Sequence, residues 1–167
     1  EVIERLAKLP SFCPQFHISL QSGCDNTLKA MNRHYSAEDY FKLCKKLRAS
    51  FPDATITTDI MVGFPTESEE DFAENVRFAQ KVGFEKVHVF PYSPREGTKA
   101  AKMPQIEKAI KEKRSHIMIE KTEEIRQEFL KSQIGKTVEV LFETRHSDGY
   151  IEGYTKNYTP VKVKGDL

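Results

Sequence analysis

Three stretches of the chain repeat one pattern, an apolar strand that stops abruptly in a small or polar turn. They are His17-Ile-Ser-Leu-Gln-Ser-Gly-Cys24, Thr57-Thr-Asp-Ile-Met-Val-Gly-Phe-Pro65 and Val87-His-Val-Phe-Pro-Tyr-Ser-Pro-Arg-Glu-Gly-Thr98. Parallel strands end in this way where their carboxyl edge carries a ligand site, because the turns supply backbone donors and glycine admits a ligand close to the main chain. The function is therefore expected at these turns.

Helical patterns fill the intervals. Ser36-Ala-Glu-Asp39 opens a helix with Ser36 as N-cap and Tyr40, Leu43, Cys44 and Leu47 on one face, and Phe51-Pro52 stops it. Thr66-Glu-Ser-Glu69 reads as a capping box for a second helix that turns Phe72, Val76, Ala79 and Val82 inward and ends at Gly83. The acidic cluster Glu67, Glu69, Glu70 and Asp71 complements that helix's dipole and is not read as a metal site. Strands are predicted over 16–20, from Thr55 to Val62 and from Lys86 to Pro91, the middle one β-branched and buried on both faces. His17 and His88, inside strands, are expected to be satisfied interior histidines. A helix end over 1–8 and a helical turn from Asn26 to Asn32 complete this part. Strand and helix in alternation give the rhythm of a right-handed parallel βαβ array. Three strands alone leave an unpaired edge. Residues 1–101 thus read as an α/β unit, the carboxyl part of a larger barrel.

Beyond Thr98 the composition changes. A charged amphipathic helix is predicted over 103–131, within a linking segment 102–131, with Ile106, Ile110, Ile117, Ile125 and Phe129 near one stripe and a solvated charged face. Short strands follow from Thr137 to Glu143, Tyr150 to Thr155 and Pro160 to Val163. These are too few to close a β-barrel, so 132–167 reads as the amino-terminal part of a second, all-β domain.

With 26 Lys and Arg against 25 Asp and Glu in 167 residues, no global basic field advertises nucleic acid, and any polyanion contact must be local. No signal peptide or membrane-length apolar run is present in the sequence, so a cytoplasmic location is expected. Cys13, Cys24 and Cys44 fit neither a disulfide framework nor a complete metal site; Cys44 reads as core, and Cys24, beside Gly23, reads as core or as near a site.

The ordered set Leu20-Gln-Ser-Gly-Cys-Asp25, Leu28-Lys-Ala-Met-Asn-Arg-His-Tyr35, Thr57-Thr-Asp-Ile-Met-Val-Gly-Phe-Pro65, Glu69-Glu-Asp-Phe72 and His88-Val-Phe-Pro-Tyr-Ser-Pro-Arg-Glu-Gly-Thr98 resembles the radical S-adenosylmethionine methylthiotransferases. The wording His-Val-Phe-Pro-Tyr-Ser is most similar to the branch that methylthiolates N6-threonylcarbamoyladenosine beside the tRNA anticodon. Gly135-Lys-Thr-Val-Glu-Val-Leu-Phe-Glu143 and Gly149-Tyr-Ile-Glu-Gly-Tyr-Thr-Lys-Asn-Tyr158 are similar to the first half of the family's RNA-contacting TRAM domain. The resemblance implies a partial radical-SAM barrel, S-adenosyl-L-methionine and two four-iron four-sulfur clusters in the full-length enzyme, and tRNA as partner. In that enzyme a reduced cluster cleaves the cofactor to a 5′-deoxyadenosyl radical that takes hydrogen from C2 of the adenine.

The family's cluster loop, Cys-x-x-x-Cys-x-x-Cys, does not occur in this sequence. The chain is accordingly expected to be the carboxyl portion of the enzyme, inactive and without bound cofactor by itself, with no catalytic residue and no metal ligand of its own, and to form a homodimer through exposed strand edges.

By the same resemblance Gln21 and Ser22 face the cofactor ribose, and Arg33 clamps its carboxylate. Without the motif, Arg33 reads as a surface ion pair. Asp59 anchors the cofactor or Arg33, or belongs to an internal ion pair. Val62, Gly63 and the backbone of Phe90, Pro91 and Tyr92 frame the adenine. RNA contacts fall to Lys136, Arg145, Lys156, Lys162 and Lys164, with Tyr150, Tyr154 and Tyr158 stacking on bases; alternating tyrosines also serve sheet packing. Three other readings stand: a methylthiotransferase for isopentenyladenosine or for a ribosomal protein, a non-catalytic RNA-binding module, and an aldolase-type barrel, for which no Schiff-base lysine stands at a strand end.

Overall fold

In the computed structural model, which describes residues 1–165, two three-stranded sheets are joined by one long helix. Short helix α1 (Val2–Leu6) leads into β1 (Gln15–His17), α2 (Asp25–Ala30), α3 (Ala37–Ser50), β2 (Thr55–Val62), α4 (Glu69–Val82) and β3 (Lys86–Pro91). The strands form one parallel sheet in the order β1-β2-β3. After a 3-10 turn at Ala100–Lys102 come α5 (Lys108–Ser132) and an antiparallel sheet of β4 (Val140–Arg145), β5 (Tyr150–Thr155) and β6 (Pro160–Lys164). Among the described residues no helix is long and apolar enough to cross a membrane.

The α helices pack on one face of the parallel sheet. Ile56, Ile60 and Val62 of β2 meet Tyr40, Cys44 and Leu47 of α3, Phe72, Phe78, Ala79 and Val82 of α4, and Met118 and Ile125 of α5 in one buried core. Leu43, expected on the buried face of α3, is 38% exposed, and Ala37, at the start of the helix, is buried in line with Tyr40, Cys44 and Leu47. Ser36 caps α3 as its sequence predicts, in a reciprocal box with Asp39.

The other face opens toward the carboxyl end of the strands: Thr55 and Thr57 of β2 are buried there, as burial on both sides requires, and that expectation fails only at Asp59 and Met61. Asp59 and Met61 are only half-buried, and His17, Ser19, His88 and Phe90 beside them are exposed. His17 and His88 are thus surface groups of the open face and not interior histidines. Three strands give this face no second layer, so it retains polar side chains.

Two local predictions are displaced. The N-cap of α4 is Ser68, boxed with Asp71, and not Thr66, whose φ of 80° lies in the left-handed region. Glu67 does not serve the helix dipole at the surface; it is 4% exposed. The long helix starts at Lys108, past Pro104, and its innermost residues are Arg114, Met118, Thr122 and Ile125; of the predicted stripe Ile125 is buried, and Ile106, Ile110, Ile117 and Phe129 are half-buried. Likewise β4 begins at Val140 and not at Thr137.

The antiparallel sheet is fastened to the amino end of β2. Thr55 Oγ1 donates to the carbonyl of Asn157 at 2.7 Å, and Asn157 Nδ2 donates to the Asp53 carbonyl at 2.6 Å. Asn157 sits in the β5–β6 turn, where its side chain also bonds Thr155 and Thr159.

Candidate functional site

The carboxyl ends of the three parallel strands form one edge. Beyond His17 the chain continues alongside β2: Gln21 N donates to the Asp59 carbonyl at 2.9 Å and Met61 N to the Gln21 carbonyl at 2.9 Å. On the far side Tyr92 N donates to the Val62 carbonyl at 2.9 Å. Gln21 is held at φ 68°, a left-handed conformation that costs a non-glycine residue about 1–3 kcal/mol and persists only where bonds on both sides fix it. Gly63 turns the chain out of β2 at φ 69°, and a Cβ there would lie 2.3 Å from Lys111 Cγ, so any other residue strains the backbone and has to displace the Lys111 side chain.

Of the residues singled out by the sequence, Gln21, Asp59, Val62, Gly63, Phe90, Pro91 and Tyr92 gather on this edge. Phe90 is 51% exposed, whereas Val62 and Tyr92 are buried. The Tyr92 hydroxyl has no hydrogen-bond partner among the described residues. Ser22 is fully buried and its Oγ accepts from Cys24 N at 3.2 Å, so its hydroxyl shapes the turn and is closed to a ligand; Gln21 alone of that pair remains accessible. Arg33 lies exposed after α2. Its loop is tied to the edge by Tyr35, whose hydroxyl donates to the Leu20 carbonyl at 2.8 Å. Asp59 does not pair with Arg33. Its Oδ2 accepts from Ser19 Oγ at 2.7 Å and lies 3.1 Å from His17 Nε2. Burial pushes the Asp59 carboxyl up, but the hydrogen bonds from Ser19 and His17 and the nearby His17 and His88 imidazoles hold it below the ordinary range.

A buried ion cluster that sequence reasoning missed supports the edge from beneath. Glu67 Oε2 accepts from Gly63 N at 2.7 Å and from Arg114 Nη1 at 2.8 Å, while Arg114 Nη2 reaches Glu69 Oε1 at 2.8 Å. Arg114 Nη1 also donates to the Glu67 carbonyl at 2.9 Å. Burial raises the Glu67 carboxyl pKa despite the opposing bonds from Gly63 and Arg114. The one signal in the sequence was an arginine falling among the apolar positions of α5.

The cysteines are not assembled. Burial pushes the Cys24 thiol up to about 11, where it donates to Asp71 Oδ1 at 3.1 Å, and burial likewise pushes Cys44 up to about 11. Only Cys13 is exposed. Iodoacetamide at near-neutral pH is therefore expected to label Cys13 alone, because the thiolate is the nucleophile; mass spectrometry showing a labelled Cys24 in the folded chain would contradict this placement.

On the antiparallel sheet, Tyr150 and Tyr154 project from one side of β5 opposite buried Ile151, and the Tyr158 ring lies 6.1 Å from that of Tyr154. Leu141, cross-strand from Tyr154, is 69% exposed. Lys162 and Lys164 stand on the same side, paired with Glu152 and Tyr150; Lys162 Nζ lies 4.9 Å from the Tyr150 ring centre and 3.5 Å from Asp148. Arg145 is exposed at the end of β4. Lys136 and Lys156 lie elsewhere, at the seam between the sheets: Lys136 pairs with Asp53 at 3.3 Å and Lys156 donates to the Pro10 carbonyl at 2.6 Å, beside a cleft of about 520 Å³.

Residues 1–79 match the Radical SAM superfamily and residues 131–167 match the TRAM domain. Over 93% of its length the chain is 44% identical to the tRNA-2-methylthio-N(6)-dimethylallyladenosine synthase of Mycobacteroides abscessus, of which it covers 30%. It is 40% identical over 98% of its length to the protein of the same name from Caldicellulosiruptor saccharolyticus, covering 35%. With the threonylcarbamoyladenosine tRNA methylthiotransferase MtaB of Thermotoga maritima it shares 38% over 99% of its length, covering 38%. The chain belongs to the radical S-adenosylmethionine methylthiotransferase family. It spans about a third of the length of the curated relatives it matches.

Methylthiotransferases of the radical S-adenosylmethionine type depend on iron–sulfur clusters, which are held by groups of thiolates. The residues of this chain do not fit such a cluster: two of its three thiols are buried and protonated, and among the described residues no group of three His, Cys, Asp or Glu is placed to hold a metal ion. The strand edge does fit a nucleoside-like cofactor. It offers a charged carboxylate at Asp59, an accessible amide at Gln21, an exposed aromatic at Phe90 and a glycine turn where a larger side chain strains the backbone.

Proposed function

We propose that this chain is the carboxyl portion of a tRNA methylthiotransferase that adds a methylthio group to C2 of N6-threonylcarbamoyladenosine. Its parts are a segment of the radical-SAM barrel over 1–101, a linking helix over 102–131 and TRAM sequence over 132–167. The observation that carries this reading is the single edge on which Gln21, Asp59, Gly63 and Phe90 meet. S-adenosylmethionine supplies the methyl group and the adenosyl fragment when bound. The chain's own residues orient it: Gln21 and Asp59 meet its hydroxyls, Arg33 its carboxylate, and the Phe90–Tyr92 backbone its adenine, while Phe64 and Tyr92 keep water from beneath. Because its cysteines do not fit a cluster, the chain by itself has no methylthiotransferase activity.

The branch rests on His88-Val-Phe-Pro-Tyr-Ser. A second reading, dimethylallyladenosine as substrate, is favoured by the names of the relatives at 44% and 40% identity. Mass spectrometry of tRNA nucleosides from cells lacking the gene separates the two: loss of the methylthio form of threonylcarbamoyladenosine supports the first, and loss of only the dimethylallyl form overturns it.

The tyrosine face of the antiparallel sheet is the RNA grip, with Lys162, Lys164 and Arg145 toward phosphates, and Lys136 and Lys156 stand apart from it at the seam between the sheets. Replacing Lys162 and Lys164 together by Ala is expected to weaken anticodon-stem-loop binding and to lower the slope of log affinity against log salt by about 1 for each phosphate that is no longer neutralised. Lys136→Ala, which breaks the Asp53 pair, is expected to leave that slope unchanged. Titrations at several salt concentrations decide, and an unchanged slope in the double variant returns both lysines to ordinary surface residues.

A further inference from the structure

The open face of the parallel sheet carries a directed row of hydrogen bonds that the cofactor reading does not require. Gln15 Nε2 can only donate, and it lies 3.2 Å from Thr57 Oγ1. The Thr57 hydroxyl, already an acceptor there, has its own proton to give to His17 Nδ1 at 3.0 Å. A ring that accepts at Nδ1 carries its proton on Nε2, which lies 3.1 Å from Asp59 Oδ2. Ser19 Oγ donates to the same oxygen at 2.7 Å. The row runs from β1 to β2 and back, and it ends on one atom.

Both donors fall on Oδ2, and no hydrogen bond among the described residues reaches Asp59 Oδ1. Asp59 is 26% exposed, so this oxygen faces solvent beside exposed His88, its partner on β3, and Phe90, where a ligand group can take the place of water. Two donors on a single oxygen also fix the plane of the group, since rotation about the Cβ–Cγ bond would break both. The free oxygen is thereby aimed, and its lone pairs suit a ligand hydroxyl or ammonium.

We propose that His17 is a positioning residue: by donating from Nε2 to Asp59 it holds the free Asp59 oxygen toward the ligand on the strand edge. This rests on the reading of that edge as the cofactor site. His17 makes no contact with the cofactor and acts through Asp59 alone.

The test is equilibrium binding of S-adenosylmethionine to the full-length methylthiotransferase that carries this sequence, with variants His17→Gln, His17→Asn, His17→Phe, Asp59→Asn and the double variant His17→Phe/Asp59→Asn. Glutamine places an amide donor near the position of Nε2, whereas asparagine is too short to reach Asp59. His17→Gln is expected to bind within about two-fold of wild type, and His17→Asn and His17→Phe to lose about ten-fold, the scale of one charge-assisted hydrogen bond. The double variant is expected to bind no more weakly than Asp59→Asn, since a group acting only through its partner adds nothing once the partner is gone. Wild-type affinity in His17→Phe, with Asp59→Asn weakened, overturns the positioning role and leaves the cofactor reading standing. Wild-type affinity in Asp59→Asn overturns both. Where a His17 variant fails to fold, 15N spectra of the wild-type imidazole decide: a proton on Nε2 is expected, and a neutral ring protonated on Nδ1 sinks the proposal.

Discussion

Glu67→Ala is expected to destabilise the chain by about 3–5 kcal/mol, the scale on which a buried ion pair fails when one partner is removed. Arg114 would remain 4% exposed with its Nε already lacking a partner, and the Gly63 amide would lose its acceptor. The solvent-facing contact to Glu69 does not replace these, because that carboxylate is 74% exposed and screened by water. The double variant Glu67→Leu/Arg114→Met should recover much of the loss, since an apolar pair of similar volume leaves no charge uncompensated. Urea unfolding of the three proteins measures both statements. A single variant within about 1 kcal/mol of wild type would mean that the cluster is hydrated in solution, the ordinary case for exposed pairs.

Gly153→Ala is the second large effect expected, and it should be confined to one part of the molecule. A Cβ at this position would lie 2.0 Å from the Leu141 carbonyl oxygen and 2.6 Å from Phe142 Cα, both backbone atoms that no rotamer change can move. The clash falls beside the register shift between Phe142 and Thr144, where β4 bends across β5. Overpacking of this kind costs about 1–3 kcal/mol, a large share of what a three-stranded sheet can hold. Amide exchange should accelerate across β4, β5 and β6, while the amides of β2 keep their protection through packing against α3, α4 and α5. Wild-type protection in β4 and β5 would show that the strands slide apart at little cost and that the close approach is not required.

What the sequence disclosed and what it concealed divide along one physical line. The spans of β2, β3 and β5 were readable because β-branched runs and turn residues act locally, and the Ser36 cap because its partner Asp39 is three positions away. The cap of α4 was misplaced by two residues: Thr66 has an acceptable side chain, but the turn after Phe64-Pro65 puts its backbone in a conformation that no cap adopts. Glu67 could not be read at all, since its role depends on an arginine 47 positions later. The same holds for His17, which finds Asp59 across 42 positions. The edge itself was legible through its turns; the face behind it was not, because alternation along a strand says which residues share a side and nothing about what, if anything, covers that side.

Helix α5 lies alongside the parallel strands in the opposite sense. Lys111 near its start donates to the Tyr92 carbonyl at 3.2 Å on the carboxyl edge, and Arg126 lies 3.8 Å from Glu85 at the other end of the sheet. Its 25 residues span about 37 Å at 1.5 Å per residue. Its far end leads into a sheet that Asn157 fastens to the amino end of β2, so that junction is not a free hinge. The arrangement is that of a caliper and not of a tether. A flexible linker would let the antiparallel sheet search a volume and would dilute whatever it holds to the effective concentration set by linker length. A splinted helix instead sets one distance between the tyrosine face and the strand edge.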